Sequence, residues 1–107
     1  MFAVSRFRYA DSEVESAHTE LASCLERLRG CPGFLRGSVG RAMDDPGLWA
    51  LQTSWESVGA YRRALSSYDI TLHVMPLLAK AIDEPSAYEV IIGEGATTPN
   101  VDRPREV

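Results

Sequence analysis

Four short stretches of alternating apolar side chains, two stretches with helical apolar spacing between them, and turn formers at the junctions predict an α+β fold. The chain order is βαββαβ. Right-handed crossovers turn that order into a four-stranded antiparallel sheet with helices on one face, a ferredoxin-like arrangement. The 107 residues are one domain's worth of sequence, 45 % hydrophobic and 24 % charged, so a single ordinary core must carry both fold and site. The domain is expected over residues 1–92, with a polar tail or arm over 93–107, where apolar residues almost vanish.

Residues 2–9 place Ala3, Ser5, Phe7 and Tyr9 on one face of an extended segment and Phe2, Val4, Arg6 and Arg8 on the other. The first helix is expected over about 12–29. Ser12 with Glu15 fits a capping box, and Val14, Ala17, Leu21, Cys24, Leu25 and Leu28 recur at helical spacing. Gly30 offers a C-terminal cap, and Pro32-Gly33 prevents the helix from resuming. The second strand then runs from Phe34 to Met43. Asp44-Asp45-Pro46-Gly47 is dense in turn formers, so Leu48–Trp55 is expected to return as an antiparallel partner, with Trp49, Leu51, Thr53 and Trp55 on one face.

Ser57 can cap a helix carrying Ala60, Tyr61, Ala64 and Leu65, which ends near Ser66-Ser67. From Asp69 the positions Ile70, His73, Val74, Leu77, Leu78, Ala81 and Ile82 again share a face, with Pro76 either kinking this helix or opening a new one. Glu84-Pro85 stops it, and Tyr88–Ile92 alternates as a fourth strand. Apolar side chains fall on both faces of the strands, Phe2 and Val4 opposite Phe7 and Tyr9, Leu48 and Ala50 opposite Trp49 and Trp55. A purely solvated outer face would not carry them, so a homodimer with sheets packed face to face is expected.

Eleven Lys and Arg against fifteen Asp and Glu give a formal net charge of −4, and the basic residues are scattered. Nucleic acid is therefore not expected as a partner. Apolar runs are only a few residues long, far short of the roughly 20 that a membrane span needs, so no membrane association is expected. Cys24 and Cys31 form neither a CxxC pair nor a ligand set with histidines and read as reduced thiols in a cytoplasmic protein; no metal site is expected. Walker loops, GxSxG, HExxH and GxGxxG are all missing.

Few residues remain that could carry chemistry. His18 lies on the flank of the first helix's stripe and reads as solvated. His73 is placed by periodicity among Ile70, Val74 and Leu77, where an imidazole must find a partner or a ligand. Trp55 ends the third strand and Tyr61 follows on the next helix, near the cleft between sheet and helices. Their indole N–H and phenol O–H need partners that a planar aromatic ligand could supply. Arg6, Arg8 and Arg41 on strands could reach a carboxylate or a phenolate.

Cys31-Pro32-Gly33-Phe34-Leu35, the run Trp49-Ala50-Leu51-Gln52-Thr53-Ser54-Trp55-Glu56-Ser57, and Ala60-Tyr61 resemble the antibiotic biosynthesis monooxygenase family of dimeric α/β barrels. The likeness covers about residues 2–92. It implies a small hydrophobic pocket between sheet and helices in each protomer, for which Ser5, Phe7, Leu51, Ala64 and Leu77 are the expected substrate-binding residues. It also implies cofactor-independent oxidation of a small aromatic or polycyclic phenol by O₂. Trp55 and Tyr61 stand where the quinone-forming members have a Trp and a Tyr, and His73 is the candidate general base. Where those members use an Asn and an Arg, this chain has Leu51 and approximately Met75. The haem-degrading members imply the alternative, haem ligated by His73, although Ala64 and Ser5 stand where they have a Trp and an Asn. A third reading is a dimer that binds a small molecule without turning it over.

Overall fold

The computed structural model describes residues 1–95. The expected order and the ferredoxin-like α+β fold are present. Strand β1 (Phe2–Arg8) leads through a 3-10 turn (Asp11–Glu13) into helix α1 (Val14–Arg29). Strands β2 (Phe34–Ala42) and β3 (Asp45–Trp55) form a hairpin; helices α2 (Val58–Ser66), α3 (Tyr68–His73) and α4 (Met75–Leu78) follow, then strand β4 (Ala87–Tyr88). The sheet order is β2-β3-β1-β4, with every pairing antiparallel.

The central pair fixes the faces. Ala3 opposes Thr53, Ser5 opposes Leu51 and Phe7 opposes Trp49, so these side chains share the helix-facing side. Phe7, Trp49, Leu51 and Trp55 are buried there. Helix α1 lays Ala17, Leu21, Cys24 and Leu28 onto this face, and Ala60, Ala64, Ile70, Val74 and Leu77 complete the core from the broken second helical layer.

Local chemistry moved several boundaries. The expected Ser12 and Glu15 box is replaced one turn earlier: the Glu13 carboxylate accepts from the Ala10 N–H at 2.7 Å and closes the 3-10 turn that leads into α1. The expected turn at 44–47 contracts, and Asp45, Pro46 and Gly47 belong to β3. Pro46 is tolerated because the β2–β3 register shifts between Arg41 and Ala42, and its carbonyl accepts from Arg41 Nε at 2.7 Å. The second helical layer breaks at Ser67, whose hydroxyl donates to Ala64 O at 2.7 Å, and again before Pro76, which stands in the first turn of α4.

The fourth strand departs furthest from expectation. It pairs over two residues, Ala87 with Ala3 and Tyr88 with Phe2, while Ile91 and Ile92 are exposed. The expected tail falls mostly on residues 96–107, outside the described residues. Gly33 marks the tightest approach among the described glycines: its φ is +89°, and a Cβ there would clash with Ala60 Cβ. Its carbonyl accepts from Glu56 N–H at 2.8 Å, tying the start of β2 to the start of α2.

Two substitutions separate packing from close approach. Leu21→Ala, at a side chain with no exposure, is expected to cost about 2–5 kcal/mol in denaturant unfolding. Gly33→Ala is expected to lower stability although it adds a methyl group, because strained φ and contact with Ala60 act together. An unchanged midpoint for Gly33→Ala would contradict this packing.

Candidate functional site

The short β4 leaves most of one edge of β1 to be covered by something else. Residues 82–86 do this as an irregular strap. Ile82 N–H donates to Arg6 O at 2.8 Å and Val4 N–H donates to Ser86 O at 2.7 Å, and between these two bonds the chain bulges away. Arg6 holds the bulge with a bidentate pair to Glu84, Nε to Oε2 at 2.7 Å and Nη2 to Oε1 at 2.8 Å. The guanidinium, through that hydrogen-bonded pair, keeps the Glu84 carboxyl below its usual range.

Behind the strap lies a cavity of about 360 Å³. Val4 and Ser5 of β1, Tyr61 and Leu65 of α2, and Met75 and Leu78 of α4 form its walls. Asp83, Glu84 and Ser86 supply its polar rim, with Asp83 exposed. Tyr61 is its most distinctive group. Burial pushes its phenol above the ordinary value, so it stays protonated at neutral pH, and among the described residues nothing hydrogen-bonds its hydroxyl.

An aromatic stack sets the Tyr61 ring. Trp55 lies against it with centroids 5.6 Å apart and planes at 57°, and Phe34 meets Trp55 edge-on at 5.4 Å and 87°. Trp55 itself is 1 % exposed and does not line the cavity; its indole N–H donates to Thr53 Oγ1 at 2.9 Å. The expectation that this N–H awaits a ligand is corrected, because a neighbour on the same strand face already accepts it.

His73 is corrected more strongly. It lies off the apolar face, exposed, with Nε2 4.0 Å from Asp69, whose carboxylate also pairs with Arg27. It lines an open hollow between α1 and α4 with Thr19, Glu20, Ser23, Pro76 and Lys80, on another side of the helical layer from Tyr61. The buried line of this layer runs through Ile70, Val74 and Leu77, and His73 stands one position to its flank. Haem does not fit this arrangement: the hollow, which Cys24 and Leu77 also line, is open to solvent and does not enclose a macrocycle beside the exposed imidazole.

Of the five expected substrate-binding residues, Ser5 alone lines the cavity. Leu51 and Ala64 are closed within the core, and Phe7 and Leu77 face a separate hollow beside Tyr9 and Glu20. Burial and Glu20 push the Tyr9 phenol up to about 12. The rim residues Asp83, Glu84 and Ser86 escaped sequence reasoning because Glu-Pro reads as a helix stop, and nothing local links Glu84 to Arg6 across 78 positions. Cys24 and Cys31 are free, with burial raising both thiols; among the described residues no cluster could hold a metal, and no helix is long and apolar enough to cross a membrane.

A family model described as antibiotic biosynthesis monooxygenase matches residues 1–73. Among solved structures, SnoaB, a cofactor-independent oxygenase from Streptomyces nogalater, is similar at 25 % identity and a TM-score of 0.65, over 76 % of this chain and 82 % of that one. A conserved protein from Methanosarcina mazei Go1 is similar at 16 % identity and 0.65, over 80 % and 84 %. Rv0793 from Mycobacterium tuberculosis is similar at 15 % and 0.62, over 80 % and 86 %. No curated protein matches the chain.

The clamp makes the strap sensitive to acid. Glu84 has its folded pKa depressed, so its contribution is full above the ordinary carboxylate value of about 4.3 and is lost as pH falls through the folded value. Amide exchange at Ile82 and Val4 is expected to be protected at about pH 6 and to lose protection below about pH 4. Glu84→Gln is expected to show the weaker protection at both. Equal protection of Glu84→Gln and the wild type would remove the clamp.

Proposed function

The chain belongs to the antibiotic biosynthesis monooxygenase family, and from that premise we propose that it is a cofactor-independent monooxygenase that oxidises a small aromatic or polycyclic phenol with O₂ in the cavity behind the strap. One observation carries the reading: Tyr61, a neutral phenol whose hydroxyl has no hydrogen-bond partner among the described residues, lines a cavity large enough for such a substrate. The likeness to SnoaB supports chemistry without a cofactor.

An electron-rich phenol needs little from the protein beyond loss of a proton and a place for the resulting charge. Tyr61 and Ser5 donate to the substrate oxygen as its negative charge develops. Asp83, on the rim, takes the proton and passes it to solvent, the role that His73 cannot fill from outside the cavity. The electron pair of the anion goes to O₂. Across the reaction the phenol loses its O–H hydrogen and one ring C–H hydrogen, that ring carbon gains one oxygen as a carbonyl, and the second oxygen leaves as water. Glu84, neutralised by Arg6, holds the wall in place without adding a free charge beside the anion.

The outer sheet face supports pairing of two copies. Phe2, Val4, Leu48 and Ala50 lie there half-buried, and Phe2 stacks on Tyr88 at 5.2 Å. The homodimer this implies is expected to scatter light as about twice 11.8 kDa at micromolar concentration. A mass near 11.8 kDa would overturn the pairing.

For the reaction, Tyr61→Phe is expected to lower kcat for a hydroxylated anthrone on the order of 10²-fold while leaving the fold intact. Asp83→Asn is expected to lower kcat for the same anthrone. Wild-type and Tyr61→Phe proteins that bind the anthrone equally and show no oxidation above the uncatalysed rate would leave a binding protein and not an enzyme.

A further inference from the structure

Thr53 is the only polar residue that is buried among the described ones, at 3 % exposure. It stands on the helix-facing side of β3 between Ala3 of β1 and Gly37 of β2, neither of which offers a polar side chain. A hydroxyl in that place lowers stability unless it is bonded, and its Oγ1 accepts the Trp55 indole N–H at 2.9 Å. Trp49 shows that the fold does not require such a bond of every buried indole. It lies further back on the same strand and face, is also buried, and its Nε1 has no partner among the described residues. The two indoles differ in what they touch. Trp49 packs edge-on against Tyr9, and neither lines the cavity behind the strap, whereas Trp55 lies against Tyr61, which does.

We propose that Thr53 is a positioning residue for the oxidation: by holding the Trp55 N–H it fixes the plane of the indole, and through that plane it fixes the Tyr61 phenol that donates to the substrate oxygen. The terminal torsion of a tryptophan is broad and has two roughly opposite settings, which an acceptor for the N–H can distinguish. Thr53 is β-branched and stiff at its first torsion, so it offers that acceptor at one point. Phe34 limits the indole from another side, edge-on at 5.4 Å, but has no acceptor with which to choose between the settings. Its own ring is seated over Gly37, where a Cβ would crowd both Phe34 and Leu25. The Tyr61 ring, tilted at 57° against the indole, takes its orientation from a side chain pinned in this way. The effect on rate rests on the oxygenase reading; the effect on the Tyr61 ring does not.

The test compares Thr53→Val, which keeps the branched shape and removes the acceptor, with Thr53→Ser, which keeps the hydroxyl, each checked by thermal unfolding. In NMR spectra of protein with isotope-labelled tryptophan and tyrosine, Trp49→Phe assigns the indole signals and Tyr61→Phe assigns the Tyr61 ring. Thr53→Val is expected to move the signals of the Trp55 indole and the Tyr61 ring and to leave those of Trp49 and Tyr9 in place, and Thr53→Ser to move none of them. With the hydroxylated anthrone, Thr53→Val is expected to lower kcat about tenfold with KM within about twofold of the wild type, and Thr53→Ser to restore kcat. Should Thr53→Val not fold, Thr53→Ala, which is smaller and cannot clash, carries the same comparison. A folded variant without the acceptor that unfolds at a lower temperature but keeps the wild-type Tyr61 signals would overturn the proposal, since Thr53 would then serve stability alone. Moved Tyr61 signals with an unchanged kcat would overturn it as well. A wild type that oxidises no anthrone, beside Tyr61 signals that still move in Thr53→Val, would remove the oxygenase reading and leave Thr53 as the residue that sets the ring.

Discussion

Strand β1 has hydrogen-bonding groups along both edges, and β4 supplies only two residues to one of them. That shortage governs the site. Unpaired backbone at a sheet edge must be satisfied by water, by a partner or by more of the same chain. Here the chain does it with two bonds, Ile82 to Arg6 and Ser86 to Val4, separated by a bulge too wide for regular pairing. A full-length β4 would have laid its side chains against α2 and closed the space. The bulge keeps it open, and the Arg6–Glu84 pair prevents the bulge from collapsing or peeling away. Cavity and strap are two consequences of one incomplete strand.

The other wall depends on aromatic packing. Tyr61 is positioned from below by Trp55, Trp55 by Phe34, and the start of α2 by the approach of Gly33 to Ala60. Edge-on and tilted aromatic contacts contribute about 0.5–1.5 kcal/mol each beyond burial and resist rotation of the rings. Trp55 therefore acts on the site through Tyr61 and touches nothing in the cavity. A Trp-then-Tyr pattern invites a reading in which both line the cavity. Trp55, bonded to Thr53, is closed within the core, and of the two only Tyr61 lines it.

The fold was legible because its signals are local. Alternation in residues 2–9 and 48–55, helical spacing in 14–28 and the breakers at Pro32-Gly33 and Pro76 each act within a few residues, and each element stands where they put it. The Asp45-Pro46-Gly47 turn was misplaced because a bulge lets proline enter a strand, which propensity cannot foresee. The site was less legible. His73 satisfied a loose apolar spacing, but the buried line runs through Ile70, Val74 and Leu77, and a residue at the margin of that stripe stands outside. Glu84 was invisible for the opposite reason: its partner lies at the far end of the chain, and a single acidic residue before proline carries no sign of a clamp.

The charges around the cavity also restrict how an anion can be tolerated there. Two carboxylates on the wall would oppose a developing phenolate if both were free. One of them is not, because the Arg6 guanidinium grips both oxygens of Glu84 and makes the pair nearly neutral as seen from the cavity. The other, Asp83, is at the solvent-facing rim, where water screens it. Tyr61, whose phenol burial pushes further above its ordinary value, is then a neutral hydrogen-bond donor on the cavity wall. In the proposed oxidation, negative charge forming beside it would be stabilised locally while the released proton moved outward toward Asp83. The arrangement suits such a separation of charge, with an aromatic wall on one side and an exposed acidic rim on the other.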